Sequence, residues 1–129
     1  MTRRDGAPRE SRLRARGFGI RAEWIALAWL TLRGWRVLAR NYLVKGGEID
    51  LVAARGDVVA FVEVKARPSI DEARTAITPE KRRRISRAAA HWLARNPAAA
   101  SRTLRGDAIF IAPRKFPRHI ENVFELDLF

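Results

Sequence analysis

Cysteine is absent from the 129 residues. That excludes a disulfide framework and any thiolate-ligated zinc site, and it fits a reducing compartment. Histidine is nearly absent as well. His91 has no His, Cys or Asp at ligand spacing and reads as a surface residue. His119 is a lone imidazole and reads as structural. The few serines have no matched His and Asp, so no catalytic triad is present. There is no P-loop and no internal repeat, and no strand precedes Gly17-x-Gly19 to make it a nucleotide fingerprint. Long apolar runs are missing too: Trp24 to Leu32 is the longest and is too short to span a bilayer. Arg3-Arg4 has no apolar segment directly after it, which argues against a secretory or twin-arginine signal, and Asp5 and Glu10 count against an organelle presequence. A cytoplasmic protein is the default expectation.

Acidic residues are scarce: 14 against 26 Lys and Arg, a formal net charge of +12. Such an excess favours a polyanion partner, whether DNA, RNA or an anionic membrane surface. The length suits one domain with one modest core. Residues 1–16 carry six arginines with Gly6 and Pro8, and almost no large apolar side chains. They read as a disordered basic tail, serving either as a phosphate-gripping arm or as nothing more than a solvated terminus. Residues 17–129 then form a single domain.

Within that domain Ala22, Ile25, Ala26, Trp29 and Leu30 recur at helical spacing, and Gly34 stops the helix. Glu23 lies on the flank of this stripe, either near a site at the sheet edge or as a surface carboxylate favoured by the helix dipole. Trp24 lies on the opposite face, placed for a tail or partner contact. Trp35 to Tyr42 reads as a strand, residues 68–77 as a loop, and Thr78-Pro79-Glu80 as the capped start of a second helix ending at Asn96-Pro97. Lys81 to Arg84 crowd its first turns, where positive charge opposes the macrodipole. A polyanion ligand is one reason for that placement; a solvated basic face is the other reading. Asp107 to Ala112 reads as a buried strand and Ile120 to Phe124 as an edge strand.

The most informative stretch is Gly46 to Lys65. Two runs alternate with period two around Arg55-Gly56-Asp57, the pattern of a β-hairpin. Asp50, Glu63 and Lys65 sit among its apolar residues, although an uncompensated buried charge is costly. Glu63 and Lys65 share a strand face. With Arg55 opposite Val58, Asp50 falls opposite Glu63; a slip of one residue would send it to the other face, and alternation alone does not fix the choice. Paired carboxylates would lie roughly 5 Å apart and repel by about 3 kcal/mol at an effective dielectric near 20. A divalent cation would turn that repulsion into attraction, and hard oxygen ligands suit Mg²⁺ or Mn²⁺. Glu48 shares the parity of Asp50 and reads as secondary, either a further ligand or support for one, or a solvent-facing strand-end carboxylate.

Asp50 followed by Glu63-x-Lys65 on a hairpin resembles the signature of the restriction-endonuclease-like, or PD-(D/E)XK, nuclease superfamily. The longer string is more specific: Arg40-Asn41, Gly47-Glu48-Ile49-Asp50-Leu51-Val52, and Phe61-Val62-Glu63-Val64-Lys65-Ala66-Arg67. From about Gly17 to Phe124 the chain resembles the bacterial UPF0102, or YraN-like, family, regarded as similar to Holliday-junction resolvases. The resemblance implies an α/β fold with a restriction-endonuclease-like core of order α-β-β-β-α-β, a mixed sheet flanked by helices. It implies metal-dependent hydrolysis of phosphodiester bonds, in DNA ahead of RNA, with Asp50, Glu63 and the Val64 carbonyl holding Mg²⁺ or Mn²⁺. Glu23 matches a family glutamate that joins the metal site directly or through water, although Ala22 stands where the family often has Gly. Lys65 would orient the attacking water or neutralise the phosphate. Lys81 matches a common family lysine, and with Arg67, Arg83, Arg84 and Arg87 it would hold the nucleic-acid backbone. Resolvases act as dimers, so a homodimer is also implied, for which the sequence shows no seam. Gly106 stands where the family usually has Phe and is expected to loosen local packing. The competing class is a non-catalytic nucleic-acid-binding module of a DNA-processing complex, or a structural partner within one.

Overall fold

The structure, a computed structural model, describes residues 9–68 and 77–128. The elements are α1 (Arg9–Leu32), β1 (Arg36–Val44), β2 (Gly47–Arg55), β3 (Val58–Ala66), α2 (Pro79–Arg95), a 3₁₀ turn (Pro97–Ser101), β4 (Thr103–Ile111) and β5 (Arg118–Phe124). The strands form one sheet in the order β1-β2-β3-β4-β5. Only β3 and β4 pair in parallel; their connection carries α2, the crossover that parallel neighbours require. The result is a mixed α/β fold in the expected order α-β-β-β-α-β, with β5 added at the edge.

Local chemistry explains most of the boundaries. Thr78 caps α2 by accepting a hydrogen bond from the Lys81 amide at 3.1 Å, and Pro79 takes the first helical position, where no N–H is needed. Gly34 ends α1 with φ at +88°. That helix begins at Arg9, well before the expected start near Gly19. Arginine, leucine and alanine are good helix formers, and no proline follows Pro8 to interrupt them. The expected boundary at residues 16 and 17 therefore falls inside a helix. Residues 1–8 of the expected tail, and Asp71 and Glu72 of the expected loop, lie outside the described residues.

The central strands are buried on both faces. Leu51, Ala53, Ala60 and Val62 pack under Ala22, Ala26 and Leu30 of α1. Val52, Ala54, Val59 and Phe61 pack under Ile85, Ala88, Ala89 and Trp92 of α2. Gly47 lets α2 approach β2. A Cβ there would lie 2.5 Å from the Arg84 carbonyl oxygen and 3.0 Å from the Ala88 nitrogen, both rigid backbone. Gly47→Ala should therefore push the helix off the sheet at a cost of about 1–3 kcal/mol, read as a lower midpoint in urea unfolding. No helix among the described residues is long and apolar enough to cross a membrane.

Candidate metal and phosphate site

The hairpin register places Arg55 opposite Val58 and Leu51 opposite Val62. One step further Asp50 faces Glu63, but the ladder stops before that pair and the strands part. β2 continues along β1, and β3 continues along β4 as far as Ala66. At the fork the Val64 amide donates to Asp50 Oδ2 at 2.7 Å, a side chain replacing the missing ladder partner. Asn41, opposite Asp50 in the β1 register, has φ at +50°, a left-handed conformation that asparagine tolerates well. This gives a physical role to an asparagine whose place in the sequence string showed none.

A cavity of about 550 Å³ opens at the fork, lined by Glu23, Glu48, Asp50, Glu63, Val64, Lys65, Arg67 and Lys81 among others. Glu63 and Lys65 are only 3% and 4% exposed. Lys65 Nζ lies 2.9 Å from Glu63 Oε2, and Lys81 Nζ lies 3.1 Å from the same oxygen. Lys81, expected on an outer nucleic-acid surface, is thus part of the acid cluster. The Thr78 cap fixes the start of α2 so that its first turn delivers Lys81 to β3. That approach depends on the docking of helix on sheet, which local sequence does not encode.

The electrostatics divide the two acids. Burial, then repulsion from Glu63 and a hydrogen bond shared with it, push the Asp50 carboxyl up to about 8; Glu23 adds to the rise. Burial would raise Glu63 as well. The hydrogen bond from Asp50, with Lys65 and Lys81, outweighs burial and holds it below its ordinary value. Burial lowers Lys65, helped by its contact with Lys81. Burial also disfavours the charged Lys81, but its bonds to Lys65 and Glu63 prevail and raise it. At neutral pH the cluster is therefore a protonated Asp50, an ionised Glu63 and two lysines on one oxygen.

The donors fit a hard divalent cation. Burial, and then repulsion from Glu63, keep a proton on Asp50, and a bound cation would offset both. Among the described residues no three His, Cys, Asp or Glu side chains converge closely enough to enclose an ion. Two carboxylates and a carbonyl are what Mg²⁺ accepts when it keeps several waters. Glu23 lines the cavity half-buried, within electrostatic range of Asp50 but outside such a cluster, a position suited to contact through water.

The fork gathers Glu23, Asp50, Glu63, Val64, Lys65, Arg67 and Lys81 in one place. It does not gather the arginines of α2. Arg84 pairs with Glu48 at 3.3 Å, and Arg87 donates to the Gly46 carbonyl at 3.0 Å, so both brace the β1–β2 turn. Arg83 is exposed. The Arg67 guanidinium folds back onto the Ala66 carbonyl at 2.8 Å. Trp24 is 51% exposed and carries the Arg40 guanidinium 4.3 Å above its ring. His91 Nδ1 lies 2.6 Å from the Tyr42 hydroxyl on the surface.

A mixed α/β domain whose sheet forks over a buried Asp–Glu pair flanked by two lysines is the class that this geometry defines. Known proteins give it a family. A family model described as "Uncharacterised protein family UPF0102" matches residues 22–111. A UPF0102 protein of Methylobacterium nodulans is 55% identical over 130 aligned residues, covering 98% of each chain. One of Methylorubrum extorquens is 54% identical over 120 residues, 93% of this chain and 94% of its own. One of Methylocella silvestris is 55% identical over 109 residues, 84% and 88% respectively. The chain belongs to the UPF0102 family.

Proposed function

We propose that this protein hydrolyses phosphodiester bonds in nucleic acid, DNA ahead of RNA, as a Mg²⁺- or Mn²⁺-dependent nuclease. The observation that carries the proposal is the buried Asp50–Glu63 pair at the fork, with Lys65 and Lys81 bonded to one Glu63 oxygen. Folding alone gains little from burying such a cluster, since replacing buried ion pairs by apolar side chains is often neutral or stabilising. A site that must organise charge around a phosphate does gain.

Asp50, Glu63 and the Val64 carbonyl would hold the ion, with Glu23 contributing through a water. When bound, the ion supplies an acidified water and neutralises charge on the phosphate. Lys65, buried against Glu63, orients the attacking water or stabilises the developing phosphate charge. Lys81 is 40% exposed at its side chain, so its ammonium can pass from Glu63 to a phosphate oxygen without leaving the cavity. The basic balance of the chain supplies general affinity for the backbone.

The second reading is a non-catalytic phosphate-binding module, favoured by the closure of both lysines onto Glu63. A panel of four-way junctions, flaps, blunt duplexes, single strands and structured RNA separates the two. Cleavage should appear with Mn²⁺ and stop with EDTA, and calorimetry should detect Mn²⁺ binding that Asp50→Asn abolishes. Binding of nucleic acid without cleavage of any substrate, and equal Mn²⁺ binding by both proteins, would leave the binding module.

A further inference from the structure

The turn between β4 and β5 is not explained by the fold. Phe116 at its tip is 83% exposed. It leans on Trp29 of α1 with ring centroids 6.1 Å apart, and Arg33 lies over the same Trp29 at 4.4 Å. The turn is held stiffly. Proline stands at 113 and 117, Arg114 has φ at +60°, and the Lys115 amide donates to the Ala112 carbonyl at 3.3 Å. Arg114, Lys115 and Arg118 surround Phe116 in sequence. Among the described residues none of these three, nor Arg33, has a carboxylate partner.

The turn also joins two hollows. Pro113 lines the cavity of the acid pair. Pro117 and Arg118 line a second cavity of about 540 Å³, walled by Trp29, Arg33, Trp35, Arg55 and Glu121, the last neutralised by Arg55 and Arg105 at 3.7 and 3.5 Å. The wall behind it is rigid: Trp35 is buried and carries the Arg55 guanidinium at 4.6 Å. An exposed ring among cations that have no carboxylate partner among the described residues, beside a hollow lined by Arg33, Arg55 and Arg118 and one turn from the acid pair, matches the way single-stranded nucleic acid is held. Aromatic faces take the bases and cations track the backbone.

We propose that this turn is a second nucleic-acid contact, at which Phe116 stacks on an unpaired base while Arg33, Lys115 and Arg118 hold the neighbouring phosphates. The proposal rests on nucleic acid being the partner and narrows its class. A base inside an intact duplex has no free face for the ring. The preferred substrate therefore has an unpaired base within a few nucleotides of the scissile phosphate, as a fork or flap does and a blunt duplex does not.

Fluorescence anisotropy in EDTA tests this without any cleavage. The full chain should bind a forked duplex and a single strand more tightly than a blunt duplex of equal length. Phe116→Ala should weaken the first two about tenfold and leave the third unchanged. Phe116→Trp should retain the preference. The ring is exposed, so both variants should fold as the wild type does, and circular dichroism checks this. A double Arg33→Ala, Arg118→Ala variant should bind with a shallower salt dependence. A 5-iodouracil placed in the unpaired arm should crosslink within residues 114–118. Equal binding of forked and blunt DNA by the wild type overturns the proposal, as does a Phe116→Ala variant indistinguishable from it. Loss confined to anionic vesicles would also overturn it and make the turn a membrane contact. Fork-selective binding by a protein that cuts nothing would sink the nuclease reading and leave this contact standing. Cleavage that ignores Phe116→Ala on every substrate would do the reverse.

Discussion

Asp50→Asn should reduce cleavage at least about a hundredfold, the scale of losing one transition-state contact of about 3 kcal/mol, without loosening the fold. The structure explains why both halves are expected. Asp50 is protonated at neutral pH and shares its proton with Glu63. An amide of the same shape can donate that hydrogen bond, so the resting cluster survives the change. The sign of the stability effect follows from the raised carboxyl. An unfolded Asp50 releases its proton near 3.8, whereas the folded one keeps it to about 8. Folding therefore takes up a proton across that window, and the wild type loses stability as pH rises through it. Asparagine does not titrate, so the variant should melt at the wild-type temperature or higher at pH 7, with the gap widening toward pH 8. Glu63→Gln should lose cleavage to a similar extent while binding nucleic acid as well as the wild type or better, because one negative charge has left the phosphate site. Single-turnover cleavage in Mn²⁺, thermal melts and anisotropy measure the three quantities. Full activity in either variant would remove the acid pair from the chemistry.

The second large effect lies away from the fork. Asp107 is fully buried in β4 and accepts four hydrogen bonds: two at 2.9 Å from Arg105, one at 2.8 Å from His119 Nε2 and one at 2.9 Å from the Asn122 amide. Asp107→Ala leaves the Arg105 guanidinium with only the Glu121 carboxylate 3.5 Å away, and the Asn122 amide without its acceptor. Breaking one side of a buried ion pair costs about 3–5 kcal/mol, roughly 10–20 °C in melting temperature for a domain of this size. Burial works against the Asp107 charge, but His119, Arg105 and the Asn122 amide hold its carboxyl below the ordinary value of 3.8. A depressed carboxyl contributes stability that is present above its unfolded value and lost as pH falls through its folded one. Melting curves from pH 7 to pH 3 should show the wild type losing stability below about pH 4, and Asp107→Ala should flatten that acid limb. Any cleavage measured at a temperature where the variant is folded should be unaffected, since Asp107 does not line the acid cavity.

These two clusters differ in how far the sequence disclosed them. Alternation around Arg55-Gly56-Asp57 exposed the hairpin, because strand period and turn chemistry are local. The turn residues also matched the register that pairs Asp50 with Glu63, although alternation alone allowed a slip. The Thr78-Pro79 start of α2 was readable for the same reason. Lys81 was visible as a charge but not as a neighbour of Glu63, since that contact joins residues 18 apart through helix docking. Asp107 read only as the first residue of a buried strand, and His119 as a lone imidazole. Only the β4–β5 pairing makes them partners. Gly106 was expected to loosen packing and does the opposite. A Cβ there would lie 2.6 Å from the Phe124 ring, so the missing side chain lets that ring close over the strand.

The parting of β2 from β3 has a mechanical side. Asp50 rides on the branch of the sheet carried by β1, and Glu63 on the branch carried by β4. The two oxygen donors therefore belong to separate arms, joined like tongs at the Leu51–Val62 rung. The Val64 amide, donating to Asp50 Oδ2 at 2.7 Å, is the tie between the arms beyond that rung. Arg84 and Arg87 brace the β1–β2 turn and so hold the Asp50 arm. The rung residues Leu51 and Val62 are uncharged and fully buried, so the spacing of the two carboxylates is set by apolar packing.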